Sequence, residues 1–586
     1  MCSIPRVLKS ECLAIIALAL VACGGNETGT PKPISPTVTV STTAAPPKEK
    51  PPFVVIAIVV DQLAAWIADE RFPLLPDTGG FARLRREGTW MKDVRFDHAV
   101  TDTAPGHASL FTGAIPAEHG IFANEVIDPG TRKTMTVLTD IEASVVTEKG
   151  KSQGGVSLKR LRAETVADRI REEIPDAWIF SASYKDRGAL FGGGQKPDVL
   201  LWHDRYKDEF VTGPSGDAVF PSVARSLKDE LVKIHLSTWT PADPGWVKTH
   251  APSPDKQRGE GDLENVGTTF PHSFKKAQGL GVRLSPKGDE MLLDLTRRAI
   301  EAAHAEGKKH LFASVSLSTN DYIGHVFGPS SWEAWDEIYR LDAALGKFMT
   351  DLDAKIGENN YAIVLSADHG VMRLPELAAV KNPLPRDKHW ELEPDRISTR
   401  ILPDALAENL EKALDKELGP GDYVLGVADP YVYLTDNTKK LDPEVRERAW
   451  RTIALELAGE SGLLRSVFLQ DGKLGGVLTD LPEMRKLLEH SLAADSGNIY
   501  LLPRRGSLID TLYVKGMGTG HGSPYLYDRS VPVLARAKGR IKEGAVVEDA
   551  TSFAVYARTL AALASVAPPK SAVPAASLAN ANEGAR

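Results

Sequence analysis

Residues Phe53 to Val60 read FVVIAIVV, eight apolar residues in a row, most of them β-branched, with Asp61 directly behind. A strand that faces water on one side alternates apolar and polar residues. An unbroken run belongs to a strand buried on both faces, as in the middle of a parallel sheet. Similar runs occur at 178–181, 310–317 and 361–366, and helical patterns at 165–173, 289–304 and 332–352 separate them. Strands alternating with helices predict an α/β fold: a doubly wound, mostly parallel sheet with helices on both faces. In such sheets ligands bind beyond the carboxyl ends of the strands, where Asp61 and Asp368 fall.

The chain of 586 residues is long enough for one large body with insertions. With 42% hydrophobic and 25% charged residues, a packed core over about 52–566 is expected. Two stretches break the rhythm, 204–285 and 375–510, and read as insertions that wall the site and select substrate. A net charge of −8 argues against nonspecific nucleic-acid binding.

At the start, Arg6 and Lys9 precede an apolar run, Leu13 to Ala22, that is too short to span a bilayer. It ends Leu20-Val21-Ala22-Cys23, which resembles a bacterial lipoprotein signal over 1–23 with Cys23 lipidated. The protein is therefore expected to be exported and held at a membrane by its lipid alone. Gly24 after the cysteine favours the outer membrane of a two-membrane host. The three cysteines are Cys2, Cys12 and Cys23, so the mature chain would keep only the lipidated one. That excludes disulfides, thiolate-held zinc and a cysteine nucleophile. Residues 24–51 read as a disordered tether, and 567–586 as a frayed tail.

Chemistry-bearing residues stand where the predicted strands and turns end. Thr103 precedes Ala104-Pro105-Gly106-His107, and proline in a first helical turn places this threonine near a helix N-cap. Free backbone N–H groups and the positive end of the helix dipole make that a seat for phosphate. A plain capping threonine has the same pattern. A threonine hydroxyl becomes a good nucleophile when a metal lowers its pKa. Asp321 and His325 are four apart on one helical face, so both can reach one ion. Asp368-His369 closes the run at 361–366, and His521 lies in a Gly-Thr-Gly-His-Gly loop. Each piece alone also describes a surface pair, a cap or a loop histidine. Together, three aspartates and three histidines without thiolates point to a hydrolytic site with two divalent metals.

The order Asp61, Thr103, Asp321/His325, Asp368/His369, His521 resembles the alkaline phosphatase superfamily. Within it, the chain looks like the branch of nucleotide pyrophosphatases/phosphodiesterases and of phosphate-irrepressible alkaline phosphatases with a threonine nucleophile. The likeness runs from about Phe53 to about Val566, through Val59-Val60-Asp61-Gln62-Leu63, Thr103 to His107, His119 to Asn124, Asp321 to His325, Ala367 to Gly370 and Gly520 to Gly522. It implies two zinc ions, one held by Asp321, His325 and His521, the other by Asp61, Asp368, His369 and the Thr103 oxygen. It also implies a phosphothreonine intermediate and an Asn124 that donates to a phosphoryl oxygen.

Ser183 to Ala189 resembles the segment that supplies a lysine and an arginine in the monoesterase members, here Lys185 and Arg187. A monoester dianion carries one charge more than a diester, and an ammonium and a guanidinium fork meet that need. A solvated turn is the plainer alternative for this triplet. Phosphate monoesters are thus the expected substrates, with a phosphodiesterase or nucleotide pyrophosphatase on the same metals as the alternative. An arylsulfatase would use a modified cysteine or serine, and a cofactor-independent phosphoglycerate mutase a cytosolic serine. A surface lipoprotein that binds metal or phosphate without turnover is the rival from another class. His107 and His119 read as structural.

Overall fold

The computed structural model describes residues 51–213, 221–277, 279–378, 399–470, 472–474, 478 and 481–579. The lipoprotein signal with Cys23, and the tether up to residue 50, lie outside them. Among the described residues, no helix is long and apolar enough to cross a membrane.

The main sheet contains β1 (Phe53–Val60), β2 (Thr89–Arg95), β3 (Trp178–Ser183), β4 (Val199–Asp204), β5 (Glu209–Val211), β6 (His310–Leu317), β7 (Ala362–Ser366), β8 (Ser530–Ala537) and β9 (Ala545–Val547). Their spatial order is β9-β2-β8-β7-β1-β6-β3-β4-β5. From β7 to β4 every pairing is parallel, while β8 and β5 run antiparallel to their inner neighbours. All eight residues of β1 and of β6 are buried, so both faces of the sheet are covered. The fold is the expected mostly parallel α/β arrangement.

Seven helices matter for the site: α1 (Thr103–Thr112), α2 (Val166–Glu173), α3 (Asp186–Gly193), α4 (Lys287–Ala305), α5 (Thr319–Phe327), α6 (Trp332–Ile356) and α7 (Val555–Leu563). The predicted helices at 165–173, 289–304 and 332–352 correspond to α2, α4 and α6. Thr165 caps α2 and shares a reciprocal capping box with Asp168, which accounts for the sharp start there. Helix α3 approaches the sheet closely. A Cβ on Gly188 would lie 2.6 Å from Ser183 Oγ and 2.8 Å from Ser316 Oγ. Glycine on the helix and serine on the strands thus belong to one packing solution.

The stretch 204–285 builds a small core of Trp239, Phe274 and Leu284 directly on Ile323, Val326 and Phe327 of α5. Within 399–510 a five-stranded sheet and two long helices, Pro403–Leu418 and Pro443–Gly459, enclose a separate core including Leu410, Val432, Ile453 and Leu501. Residues of both stretches line the same large cavity as Thr103.

The end of the chain differs from the frayed tail expected from its alanines and prolines. The Val573 N–H donates to Gly113 O (2.8 Å), Arg558 Nε donates to Val573 O (2.8 Å), and Ala579 is buried. Small side chains let this backbone lie close against α1 and α7, where arginine and backbone groups satisfy it. Residues 580–586 lie outside the described part.

Candidate metal centre

Parallel strands deliver their following residues to one edge, and four of the site residues arrive that way. Asp61 follows β1, Lys185 stands two residues after β3, Asp321 opens α5 just beyond β6, and Asp368 stands two residues after β7. The Asp61 N–H donates to Leu317 O (3.0 Å), extending the β1–β6 ladder by one rung. Because β8 runs antiparallel to β7, the loop before it comes to the same edge and brings His521. There the Gly370 N–H donates to Asp528 O (2.7 Å).

Thr103 is the first residue of α1, one place further in than the expected N-cap. Asp102 takes the cap position without capping, because its Oδ1 faces His521 Nδ1 at 3.3 Å. Burial opposes ionisation of Asp102, yet His521 outweighs it and holds the carboxyl below the ordinary value. Thr103 Oγ1 lies 3.4 Å from His369 Nε2 and accepts from Lys185 Nζ at 3.2 Å.

Two groups of ligand atoms converge, Asp321/His325/His521 and Asp61/Asp321/His369. Asp321 belongs to both. Asp368 stands beside the second group, its Oδ2 3.4 Å from His369 Nε2 and 3.0 Å from His107 Nδ1. His325 Nε2 is 3.1 Å and His521 Nε2 is 3.6 Å from Asp321 Oδ1, and the rings of His369 and His521 stack with centroids 3.6 Å apart.

Each of the three histidines holds a backbone carbonyl with Nδ1: His325 to Thr519 O (2.7 Å), His369 to Gly370 O (2.9 Å) and His521 to Thr101 O (2.9 Å). A carbonyl only accepts, so Nδ1 carries the proton and Nε2 is turned inward, where its lone pair could bind a metal.

The charge balance points the same way. Asp61, Asp321 and Asp368 are fully buried and face one ammonium, that of Lys185, which is 2.6 Å from both Asp61 Oδ2 and Asp321 Oδ2. Burial works against the lysine's charge, but Asp321 and Asp61 outweigh it and keep it protonated. Neither oxygen of Asp61 accepts a well-formed hydrogen bond even with Lys185 so near. Burial, and then the like charges of Asp321 and Asp368, push the Asp61 carboxyl well above the ordinary range. Surplus buried negative charge of this kind is costly unless cations balance it. At His521 burial favours the neutral ring, yet Asp102 and Asp321 outweigh it and draw a proton. The carboxylates that attract a proton there attract a metal ion equally. The oxygen and imidazole donors therefore fit divalent cations.

The remaining expected residues share this cavity of about 1230 Å³ with Thr103. Asn124 Oδ1 accepts from the Ala104 N–H (2.8 Å), which leaves its amide N–H groups to donate elsewhere. Arg187, on the first turn of α3, has Nη1 3.5 Å from Asp186 Oδ1 and a buried Nε without a hydrogen-bond partner among the described residues. The triplet Lys185-Asp186-Arg187 is thus the start of a helix beside the site, and its lysine is buried.

Sequence reasoning missed Gln62. It adopts a left-handed φ of 68°, donates through Nε2 to Asp321 Oδ1 (2.7 Å) and through its backbone N–H to Asp368 Oδ1 (3.2 Å). Strained backbone of this kind concentrates at functional sites. Its only signal in the sequence was its place directly after Asp61. His107 ties the Thr103 carbonyl (3.0 Å), Asp368 and Ser316 Oγ (2.8 Å) together. His119 links Ser109 Oγ (3.1 Å) with the Ile121 N–H (3.1 Å) on the way to Asn124.

Known proteins share this architecture. The chain is 28% identical over 542 residues to alkaline phosphatase PhoV of Synechococcus elongatus, covering 91% of this chain and 92% of that protein. It is 27% identical over 509 residues to alkaline phosphatase PafA of Elizabethkingia meningoseptica, covering 84% and 88%. The crystal structure of wild-type PafA superposes with a TM-score of 0.77 at 24% identity, covering 90% of this chain and 98% of that one. The family model of type I phosphodiesterase / nucleotide pyrophosphatase matches residues 55–511, well over half of the chain, and the chain belongs to that family.

Proposed function

We propose that this protein is a metal-dependent phosphate monoester hydrolase of the alkaline phosphatase kind, with Thr103 as nucleophile. The carrying observation is that Thr103, which accepts from Lys185 Nζ at 3.2 Å, lines one cavity with two cations, Lys185 and Arg187. The relatives PhoV and PafA bear the same activity in their names.

Asp321, His325 and His521 would hold one divalent cation, and Asp61, Asp368, His369 and Thr103 Oγ1 the other; zinc is the proposed metal. When bound, the ions supply Lewis-acid chemistry, lowering the pKa of a hydroxyl and neutralising charge that develops on the leaving oxygen. Thr103, as its alkoxide, forms a bond to phosphorus while the bond from phosphorus to the ester oxygen breaks. Water then cleaves the phosphothreonine, releasing phosphate and restoring Thr103. Two in-line displacements give net retention at phosphorus. Asn124, Lys185 and Arg187 hold the phosphoryl oxygens, and the charges of the latter two match a dianion. Gln62 and His107 orient the carboxylates.

The family description keeps a diesterase as the second reading. Turnover of phenyl phosphate, bis(4-nitrophenyl) phosphate and 4-nitrophenyl sulfate by the intact protein separates the two. The monoester is expected to dominate, and diester turnover above it would replace the first reading with the second. We also propose, from Cys23 and the segment before it, that the protein is an exported lipoprotein tethered at the outer membrane.

A further inference from the structure

Beyond the phosphoryl group, the cavity wall made by 204–285 is charged in a way the proposed reaction does not use. The hairpin turn after β4 carries Arg205 and Tyr206 side by side at the cavity. The turn is held rigidly: Asp204 Oδ1 accepts from the Tyr206 N–H (2.9 Å) and the Lys207 N–H (3.2 Å). Three acidic groups near it are already engaged. Asp204 pairs with Lys207 (3.4 Å), and Asp208 bridges His203 (3.1 Å) and His235 (2.6 Å). Glu264 Oε2 accepts from the Gly281 N–H (2.8 Å).

Arg205 has no carboxylate within 4 Å among the described residues. Its Nη2 donates to Tyr206 Oη (2.6 Å) and its guanidinium lies 4.8 Å over the Tyr206 ring. Tyr206 itself is 85% exposed, so the ring is not there to fill a core. Behind the turn Arg283, buried and also without a carboxylate, donates to His203 O (2.7 Å) and to Tyr322 Oη. The Tyr322 ring is 5.4 Å from the Arg283 guanidinium and 5.4 Å from Lys185 Nζ. Tyr322 thus joins Lys185 to Arg283, and Arg205 stands on the same wall, where Asp204, Asp208 and Glu264 are the acidic groups. A guanidinium that lies over a tyrosine ring and gives only one N–H to its hydroxyl keeps a fork of donors for a planar or tetrahedral oxyanion.

We propose that Arg205, braced on Tyr206, is a leaving-group subsite that favours phosphate monoesters carrying a second oxyanion, a carboxylate or a second phosphate. This inference rests on the monoesterase reading and adds a substrate class to it.

The test compares kcat/KM for phenyl phosphate, 4-carboxyphenyl phosphate and 1,4-butanediol bisphosphate in the intact protein and in R205M and R205E. Intrinsic reactivity of each ester cancels when its ratio to phenyl phosphate is compared between proteins. The ratio is expected to fall about tenfold in R205M and further in R205E, the loss of one charge-assisted contact. A fall confined to the carboxylate or to the bisphosphate identifies which oxyanion the subsite takes. Ratios unchanged within about twofold in both variants would overturn the proposal. Failure of the wild type to hydrolyse phenyl phosphate would instead sink the monoesterase reading. Because Arg205 lies on an exposed turn, both variants are expected to fold, as a thermal melt would verify.

Discussion

Single side chains decide the chemistry here through position more than type. Thr103 becomes a candidate nucleophile because α1 starts beside His369 and Lys185; elsewhere the same residue is an ordinary helix start. Thr103→Ala is expected to reduce monoester kcat by about a thousandfold or more, the scale of nucleophile loss in covalent catalysis. A residual rate within tenfold of wild type would refute the covalent step. Lys185→Met and Arg187→Met should each lower kcat/KM for monoesters by about 10–100-fold, the strength of a charge-assisted contact, and spare diesters. Equal losses on both ester classes would show that these cations do not read the extra charge. At this scale the sequence was informative: the residues proposed from it line one cavity or its ligand clusters, and Asp368 stands beside one of those clusters. Gln62, Asp102 and Tyr322 escaped, because a left-handed residue, a cap turned away from its helix and a ring beneath a lysine have no sequence pattern.

Between elements, the critical dimension is the gap separating α1 from the end of β7. A Cβ on Gly106 would lie 2.1 Å from Asp368 O, so only glycine lets α1 approach the residues after β7 this closely. Gly→Ala inside a helix ordinarily stabilises by about 1 kcal/mol. Here overpacking should reverse the sign and cost about 1–3 kcal/mol, with kcat falling as Thr103 moves off Asp368 and His369. Denaturant unfolding and steady-state rates on Gly106→Ala check both; a more stable, fully active variant would contradict the packing account. Strands β1 and β6 were legible from their unbroken apolar runs, and α2 from its capping box. The antiparallel β8 was not, since Pro532 and Arg536 interrupt its apolar run although seven of its eight residues are buried, nor was the sheet within 399–510, most of whose strands are too short to show a period. The packing of 567–579 on α1 was hidden for a related reason: small residues that read as disorder also allow close backbone approach.

For the molecule as a whole, stability and metal content should be linked. Chelation leaves three buried carboxylates facing one lysine, so a metal-free sample is expected to melt lower and to lose activity, and zinc should restore both. Apparent metal affinity should weaken as pH falls, about tenfold per unit for each proton displaced, because His521 must give up its proton to bind. Indifference to chelators would end the metal reading. Away from the site, burial holds His98 neutral down to about 3 and also keeps His119 neutral well below its ordinary value. Their folded pKa values are depressed, so below about 6.5 the unfolded chain binds protons that the folded one refuses. Each therefore contributes stability above that pH that is lost on acidification, at about 1.4 kcal/mol per unit. His98→Phe, beside Phe96 and Phe553, should flatten the profile by that slope between pH 6 and 4; parallel wild-type and variant profiles would contradict it. What the sequence by itself determined was the local grammar: which runs are doubly buried strands, which residues end them, and which side chains are ligands by type. Only the tertiary structure decided that Asp61, Asp321 and Asp368 stand together, that each histidine turns Nε2 inward, and that Arg205 lines the same cavity as Thr103. The physical reason is that burial and hydrogen-bond partners are supplied by residues hundreds of positions away, and a linear pattern does not encode which of them meet.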